Sequence, residues 1–121
     1  MATRRGLLTT LAVWSAASMA GGTLLWAKGR TPAVRSFGRQ TLAWGVVDGA
    51  IAAVSASRPV PDARRLRKVL VVNCALDLGY VALGALAYRH PRWRGDGAAV
   101  AIQGGFLLAL DSHFAYHLDV D

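Results

Sequence analysis

Three acidic side chains lie within long stretches of apolar residues, where a carboxylate has no counter-ion nearby in sequence. Asp48 and Asp77 fall near the middle of two such stretches, and Asp111 falls near the end of another. An ionised Asp at the centre of a membrane-spanning helix costs about 2.5–3.5 kcal/mol, so acids in such places are candidates for function. Two neighbouring carboxyl groups in a low dielectric share a proton, because their charges repel. The alternative is a set of neutral acids that join helices by hydrogen bonds.

These acids belong to wider sets of polar residues at helical spacing. Asn73, Asp77 and Tyr80 follow i, i+4 and i+7, which places them on one face of a helix. A helix through Gln103 carries Asp111 about 80° away, at about 3.6 residues per turn. Threading the helices up and down brings these side chains together. We therefore predict a polar seam formed by Asp48, Asn73, Asp77, Tyr80, Gln103 and Asp111.

Two histidines near the C-terminus have the spacing of metal ligands. His113 and His117 stand at i, i+4, which places both imidazoles on one face, and Asp111 is a candidate third ligand. Zinc, copper or iron, including heme iron, would suit such nitrogen and oxygen donors. The alternative is that the two rings anchor the helix at a membrane surface beside Phe114 and Tyr116. We expect no other cofactor.

Four stretches are long and apolar enough to cross a bilayer, which requires about 20 helical residues. The prolines of the chain fall between these stretches, where the missing N–H breaks no helical hydrogen bond. The predicted fold is an all-α, four-helix transmembrane bundle with up-down-up-down topology, in one domain over residues 1–121. The predicted spans are 6–27, 40–57, 69–88 and 97–118. No internal repeat is evident.

The composition supports the same assignment. The 121 residues are 54% hydrophobic and only 17% charged, outside the range of ordinary soluble domains. The net charge of +7 does not indicate nucleic-acid binding, because the basic residues form short clusters between the apolar stretches. The expected partner is the lipid bilayer. The Lys and Arg residues divide equally between the two sides, so the positive-inside rule leaves either dual insertion or an arrangement with both termini inside.

The N-terminus permits two interpretations. Arg4 and Arg5 followed by an apolar run are typical of a twin-arginine or secretory signal. The uncharged run extends from Gly6 to Ala27, however, which exceeds the usual hydrophobic core of a signal. We expect a retained helix. Cleavage would leave three spans.

The remaining small and reactive residues indicate packing rather than catalysis. Gly45 and Gly49 form a GxxxG pair, which predicts close helix approach and a homodimer through this pair or another Gly-rich face. Cys74 is the one cysteine, so no disulfide forms within the chain. No motif of known enzymatic chemistry appears, and we do not expect an enzyme. The leading expectation is a small integral membrane protein of structural or accessory type, and the alternative is a proton-coupled or ion-conducting transporter.

Three elements carry a resemblance to a family. They are Phe37-x-x-Gln40 with Trp44, Asn73-x-x-Leu76-Asp77-x-Gly79-Tyr80, and Ile102-Gln103-Gly104-x-Phe106-Leu107-Leu108-x-x-Asp111. Residues 37–111 thereby resemble an uncharacterised family of small four-span bacterial inner-membrane proteins. The resemblance implies a multi-pass protein of the bacterial inner membrane with no established activity. Members of that family often carry Asn at the position of Asp48, and the two histidines are not part of its pattern.

Overall fold

The computed structural model describes residues 3–59 and 61–117. Within these ranges the chain forms four α-helices and no strand, which confirms the predicted all-α four-helix bundle. A short 3₁₀ turn at Pro91–Trp93 precedes the last helix. The predicted end of the last span at Leu118 lies outside the described residues. The helices are α1 (Arg4–Lys28), α2 (Pro32–Ser57), α3 (Ala63–Tyr88) and α4 (Arg94–His117).

Side-chain caps fix where the first three helices begin. Thr3 and Thr31 accept hydrogen bonds from the backbone N–H groups three residues later, at 3.0 and 3.1 Å. Asp62 caps α3 in the same way by accepting from the N–H of Arg65 at 2.8 Å. Each cap satisfies a donor that has no partner inside the helix. Each helix therefore begins several residues before the apolar stretch that the sequence predicted.

Helices α1 and α2 form an antiparallel hairpin held together by glycines. A methyl group on Gly22 would lie 2.5 Å from the backbone nitrogen of Leu42 and 2.7 Å from the carbonyl oxygen of Gly38. No real side chain fits in that space, so the two backbones are in direct contact. Small residues are what permits such close approach between helices in lipid.

Helices α3 and α4 form a second hairpin with the same contact. A methyl group on Gly84 would lie 2.5 Å from the backbone nitrogen of Ala101 and 2.7 Å from the carbonyl oxygen of Gly97. In both hairpins the two atoms belong to a glycine and to the residue four positions later. Within each hairpin, the two helix backbones therefore approach each other in the same way.

A second glycine contact extends the match between the hairpins. A methyl group on Gly45 would lie 3.0 Å from the backbone nitrogen of Met19, and one on Gly104 would lie 3.0 Å from that of Val81. Met19 lies three residues before Gly22, and Val81 lies three residues before Gly84. The two hairpins therefore share matched glycine contacts, a structural correspondence that the sequence did not predict.

The two hairpins join where α2 meets α4. Gly95 of α4 lies against the backbone of Ala33, and the guanidinium of Arg39 lies 3.5 Å from the carboxylate of Asp96. These contacts lie at the upper end of the bundle, defined here as the end that holds Lys28 and Tyr88. The lower end of the bundle holds Arg4. Helices α2 and α3 make little or no backbone contact with each other.

The distribution of polarity is reversed relative to a water-soluble protein. Among the described residues, the seven buried polar or charged ones are as many as the buried hydrophobic ones, while bulky apolar side chains cover the outside. Helices α1, α3 and α4, the last together with its 3₁₀ turn, are long and apolar enough to cross a membrane. Helix α2 is as long but is not among these membrane-capable helices, although the sequence predicted a span at 40–57. Its outer side chains Val46 and Val54 are about half exposed, like those of the other helices.

Candidate functional site: an acidic cavity in the lower half of the bundle

A cavity of about 760 Å³ lies in the lower half of the bundle. All four helices and the α2–α3 connection line it, and it is partly open to the outside. It reaches from the lower end of the bundle to the level of Trp44 and Tyr80. Helices α2 and α3, which supply most of its lining, make little or no backbone contact with each other.

Three carboxyl groups face this cavity, one each from α2, α3 and α4. Asp48 is 1% exposed, Asp77 is 3% exposed and Asp111 is 8% exposed, and all three line the cavity. Asn73 and Tyr80 also line it. The structure therefore brings together every member of the predicted polar seam except Gln103.

The carboxyl groups of Asp77 and Asp111 face each other across the α3–α4 interface, close enough for a hydrogen bond. A carboxylate is an acceptor only, so two carboxyl groups form a hydrogen bond when one of them carries a proton. The pair is therefore a candidate site for a proton shared between two helices.

Asp48 differs from this pair because it has no hydrogen-bond partner. Both of its carboxylate oxygens are buried without a partner among the described residues, and so is one oxygen of Asp77. An unpaired buried carboxylate costs several kcal/mol, so such a group is neutralised by a proton or a bound cation. Asp48 lies close enough to Asp77 for the two charges to repel. The three acids form one electrostatically connected cluster.

An aromatic pair closes the inner end of the cavity. Trp44 stands one turn above Asp48 on α2, and Tyr80 stands one turn above Asp77 on α3. Their rings meet edge to face with centroids 5.1 Å apart. The pair bridges α2 and α3 at the upper limit of the cavity lining, so the polar wall is reached from the lower end or from the side.

Gln103 lies in a separate polar contact between α4 and α1. Its side-chain oxygen accepts a hydrogen bond from the indole N–H of Trp14 at 2.8 Å, and its amide nitrogen donates to Ser18 at 3.2 Å. Gln103 is 1% exposed and does not line the cavity. The predicted polar seam contains no residue of α1, although Trp14 and Ser18 stand at i, i+4 and therefore share a face.

The basic residues at the open end were not predicted as part of any site. Arg4, Arg58 and Arg65 line the lower part of the cavity, and Arg4 donates a hydrogen bond to the backbone carbonyl of Ser55. They come from α1, from the end of α2 and from the first turn of α3. Since they are distant in sequence, only the fold reveals that they surround one opening.

The two histidines lie outside this cavity. The rings of His113 and His117 have centroids 4.6 Å apart and both side chains are exposed, whereas Asp111 points inward. No group of three histidine, cysteine or acidic residues suited to a metal occurs within residues 3–59 and 61–117. Metal or heme binding by this pair stays a prediction.

The predicted dimer contact is used within the chain. Gly45 packs against Met19 and Ser18 of α1, and a methyl group on Gly49 would lie 2.6 Å from the hydroxyl of Ser15. A homodimer through Gly45 and Gly49 would need this intramolecular contact to open. Gly79, which has open space beside it, leaves a different glycine face available.

Comparison with known proteins identifies a family and no function. Residues 10–112 match the model of a family of unknown function, DUF6992, and the chain belongs to that family. No curated protein matches the chain, and no solved structure does. The prediction of membership in an uncharacterised family is confirmed.

Proposed function

We propose that this member of the DUF6992 family is a four-span integral membrane protein that binds protons at the Asp48–Asp77–Asp111 cluster and couples them to a small solute held in the cavity. The function is that of a small proton-coupled carrier. The observation that carries the proposal is the Asp77–Asp111 contact, which needs a proton, beside an unpartnered Asp48 in the wall of a partly open cavity.

The membrane assignment rests on the outer surface of the helices. Three helices are long and apolar enough to span a bilayer, and α2 presents bulky apolar side chains on its outer face as they do. A helix exposed to water on that face would expose several valines at once. We place all four helices in the membrane, with the bacterial inner membrane as the location that the family resemblance implies.

Protons fit the cluster better than a metal ion does. The three acids do not form a metal-binding group among the described residues, whereas Asp77 and Asp111 are in direct contact. A metal ion needs several oxygen ligands around one centre, while a proton needs only two neighbouring acceptors. Asp48 supplies a second acceptor in the same cavity, to which a proton can move when a solute enters or leaves.

The accessory function remains the second candidate because the same contact also joins α3 to α4. A neutral Asp that serves only to hold helices together contributes about 0.6 kcal/mol per hydrogen bond. Such an Asp stays protonated at every pH at which the protein is folded. A proton site of a carrier, in contrast, exchanges its proton with water through the cavity.

The two functions are separated by infrared difference spectroscopy of the protein in lipid membranes. The C=O stretch of a protonated carboxyl group is followed from mildly acidic to mildly alkaline pH, in ordinary and heavy water. A proton site predicts a band that changes with pH and is lost or shifted in Asp77→Asn and Asp111→Asn. The matched control is Asp96→Asn, because Asp96 is a buried acid outside the cavity.

Two outcomes would contradict the proposal. One is a protonated-carboxyl band that stays constant with pH in the wild-type protein. The other is a pH-dependent band that persists in both cluster variants and disappears in Asp96→Asn. Either result favours the accessory function, in which Asp77→Asn keeps the hydrogen bond and leaves thermal stability nearly unchanged.

A further inference from the structure

The cavity opens sideways between α2 and α3, and the rim of that opening is apolar. Val47 and Ile51 of α2 and Val69 and Leu76 of α3 line the cavity, and each is about half exposed. Apolar side chains that face both the cavity and the outside create a continuous apolar path between them. In a bilayer, the medium at this rim is the acyl-chain region.

The lower end of the same opening is positively charged. Arg4, Arg58 and Arg65 line it, and the side chains of Arg58 and Arg65 are exposed. The acids that line the cavity stand deeper in the bundle, at Asp48, Asp77 and Asp111. The opening thus has arginines at the level of the bilayer surface and apolar side chains above them, toward the bilayer centre.

We propose that this opening is a binding site for an anionic phospholipid. The phosphate group lies at Arg4, Arg58 and Arg65, and one acyl chain lies between α2 and α3 against the apolar rim. Guanidinium groups bind phosphate through paired N–H donors, which gives geometric preference as well as charge. The apolar rim commits the site to a lipid rather than a water-soluble phosphate, since a soluble headgroup would leave the rim uncovered.

This inference rests on the membrane placement in the proposed function but not on its proton site, because it uses the arginines and the rim rather than the three acids. A proton site without a bound lipid and a lipid site without a titrating cluster are both possible outcomes. The variant Asp77→Asn distinguishes them: it removes the titrating group and is expected to keep the lipid preference. Arg4 also contacts Ser55, so the charge test uses the two exposed arginines only.

The first experiment is native mass spectrometry of the purified protein with equal amounts of phosphatidylglycerol and phosphatidylcholine that carry the same acyl chains. We expect retained phosphatidylglycerol to exceed phosphatidylcholine several-fold, and this preference to fall to near equality in the double variant Arg58→Gln/Arg65→Gln. The control is Arg89→Gln/Arg92→Gln, which removes two exposed arginines from the upper end. Added glycerol phosphate should not displace the lipid.

The second experiment tests the position of the acyl chain. Phosphatidylglycerol with brominated chains quenches nearby tryptophans, and Trp44 lines the cavity. We expect quenching in the wild-type protein to exceed that in Trp44→Phe, and the difference to vanish in Arg58→Gln/Arg65→Gln. The proposal is overturned if both lipids bind equally, if the control pair loses as much preference as the test pair, if glycerol phosphate displaces the lipid, or if Trp44→Phe is quenched like the wild type.

Discussion

The indole N–H of Trp14 on α1 donates a hydrogen bond of 2.8 Å to the side chain of Gln103 on α4, although the two residues are 89 positions apart. The amide of Gln103 continues the contact by donating to Ser18. Trp14 also stacks on Phe106, with ring centroids 3.8 Å apart and planes inclined by 7°. The first helix is therefore tied to the last by a polar contact buried in the apolar interior, and cleavage of α1 would remove it.

We predict that Gln103→Leu destabilises the protein by about 0.6 kcal/mol and at most about 1.7 kcal/mol, the range of hydrogen bonds between helices in membranes. The measurement is thermal or denaturant unfolding in a fixed detergent, followed by tryptophan fluorescence. A double-mutant cycle with Trp14→Phe isolates the contact, since both variants remove the same hydrogen bond. Additive effects of the two substitutions would show that the contact contributes nothing.

The hairpin contacts predict which glycines tolerate a methyl group. In Gly84→Ala the added carbon would lie 2.5 Å from the backbone nitrogen of Ala101, so α3 and α4 must separate. Overpacking of this kind costs about 1–3 kcal/mol. Gly79→Ala is the matched control on the same helix, because nothing lies within 4 Å of its added carbon. Equal melting temperatures for the two variants would contradict the close approach of the helices.

The ion pair at the α2–α4 interface predicts an unequal effect of its two partners. Arg39 is 54% exposed at its side chain and Asp96 is 10% exposed, with 3.5 Å between them. Removing Arg39 leaves a buried carboxylate without its counter-ion, whereas Asp96→Asn removes the buried charge itself. We expect Arg39→Gln to lower the melting temperature more than Asp96→Asn does. The opposite order would show that Asp96 is solvated by water at this site.

The four-span arrangement predicts that the two ends of α2 lie on opposite sides of the membrane. In a Cys74→Ser background, single cysteines at Thr31 and Ser57 should react with a membrane-impermeant maleimide from opposite sides of oriented vesicles. A control cysteine at Lys28 should react from the same side as the one at Thr31. Reaction of Thr31 and Ser57 variants from one side would mean that α2 does not cross the bilayer.

The helix count and the meeting of the acids were predictable because each follows from local periodicity. Apolar stretches of sufficient length fix the number of helices, and helical spacing places Asp77 on the face of Asn73 and Tyr80. Antiparallel threading then brings that face opposite Asp48 and near Asp111. These steps need no knowledge of how the helices pack in detail. The acids of the cavity, with Asn73 and Tyr80, could therefore be predicted from the sequence.

The rest depended on packing, which periodicity does not specify. Helical spacing does not specify how α4 is rotated about its axis. In the structure Gln103 faces α1, where its side chain forms hydrogen bonds with Trp14 and Ser18. The cavity lies where α2 and α3 make little or no backbone contact, and no residue pattern predicts which helix pairs stay apart. In the sequence, nothing distinguishes Arg4, Arg58 and Arg65 from other charges that flank apolar stretches. Only the fold places them around one opening.

The matched glycine contacts have a consequence for the symmetry of the acidic cluster. Asp48 lies three positions after Gly45, and its counterpart three positions after Gly104 is Leu107. Asp77 lies seven positions before Gly84, and its counterpart seven positions before Gly22 is Ser15; the counterpart of Asp111 is Ala52. None of the three acids recurs in the other hairpin, so two hairpins with matched backbone contacts carry an asymmetric set of carboxyl groups.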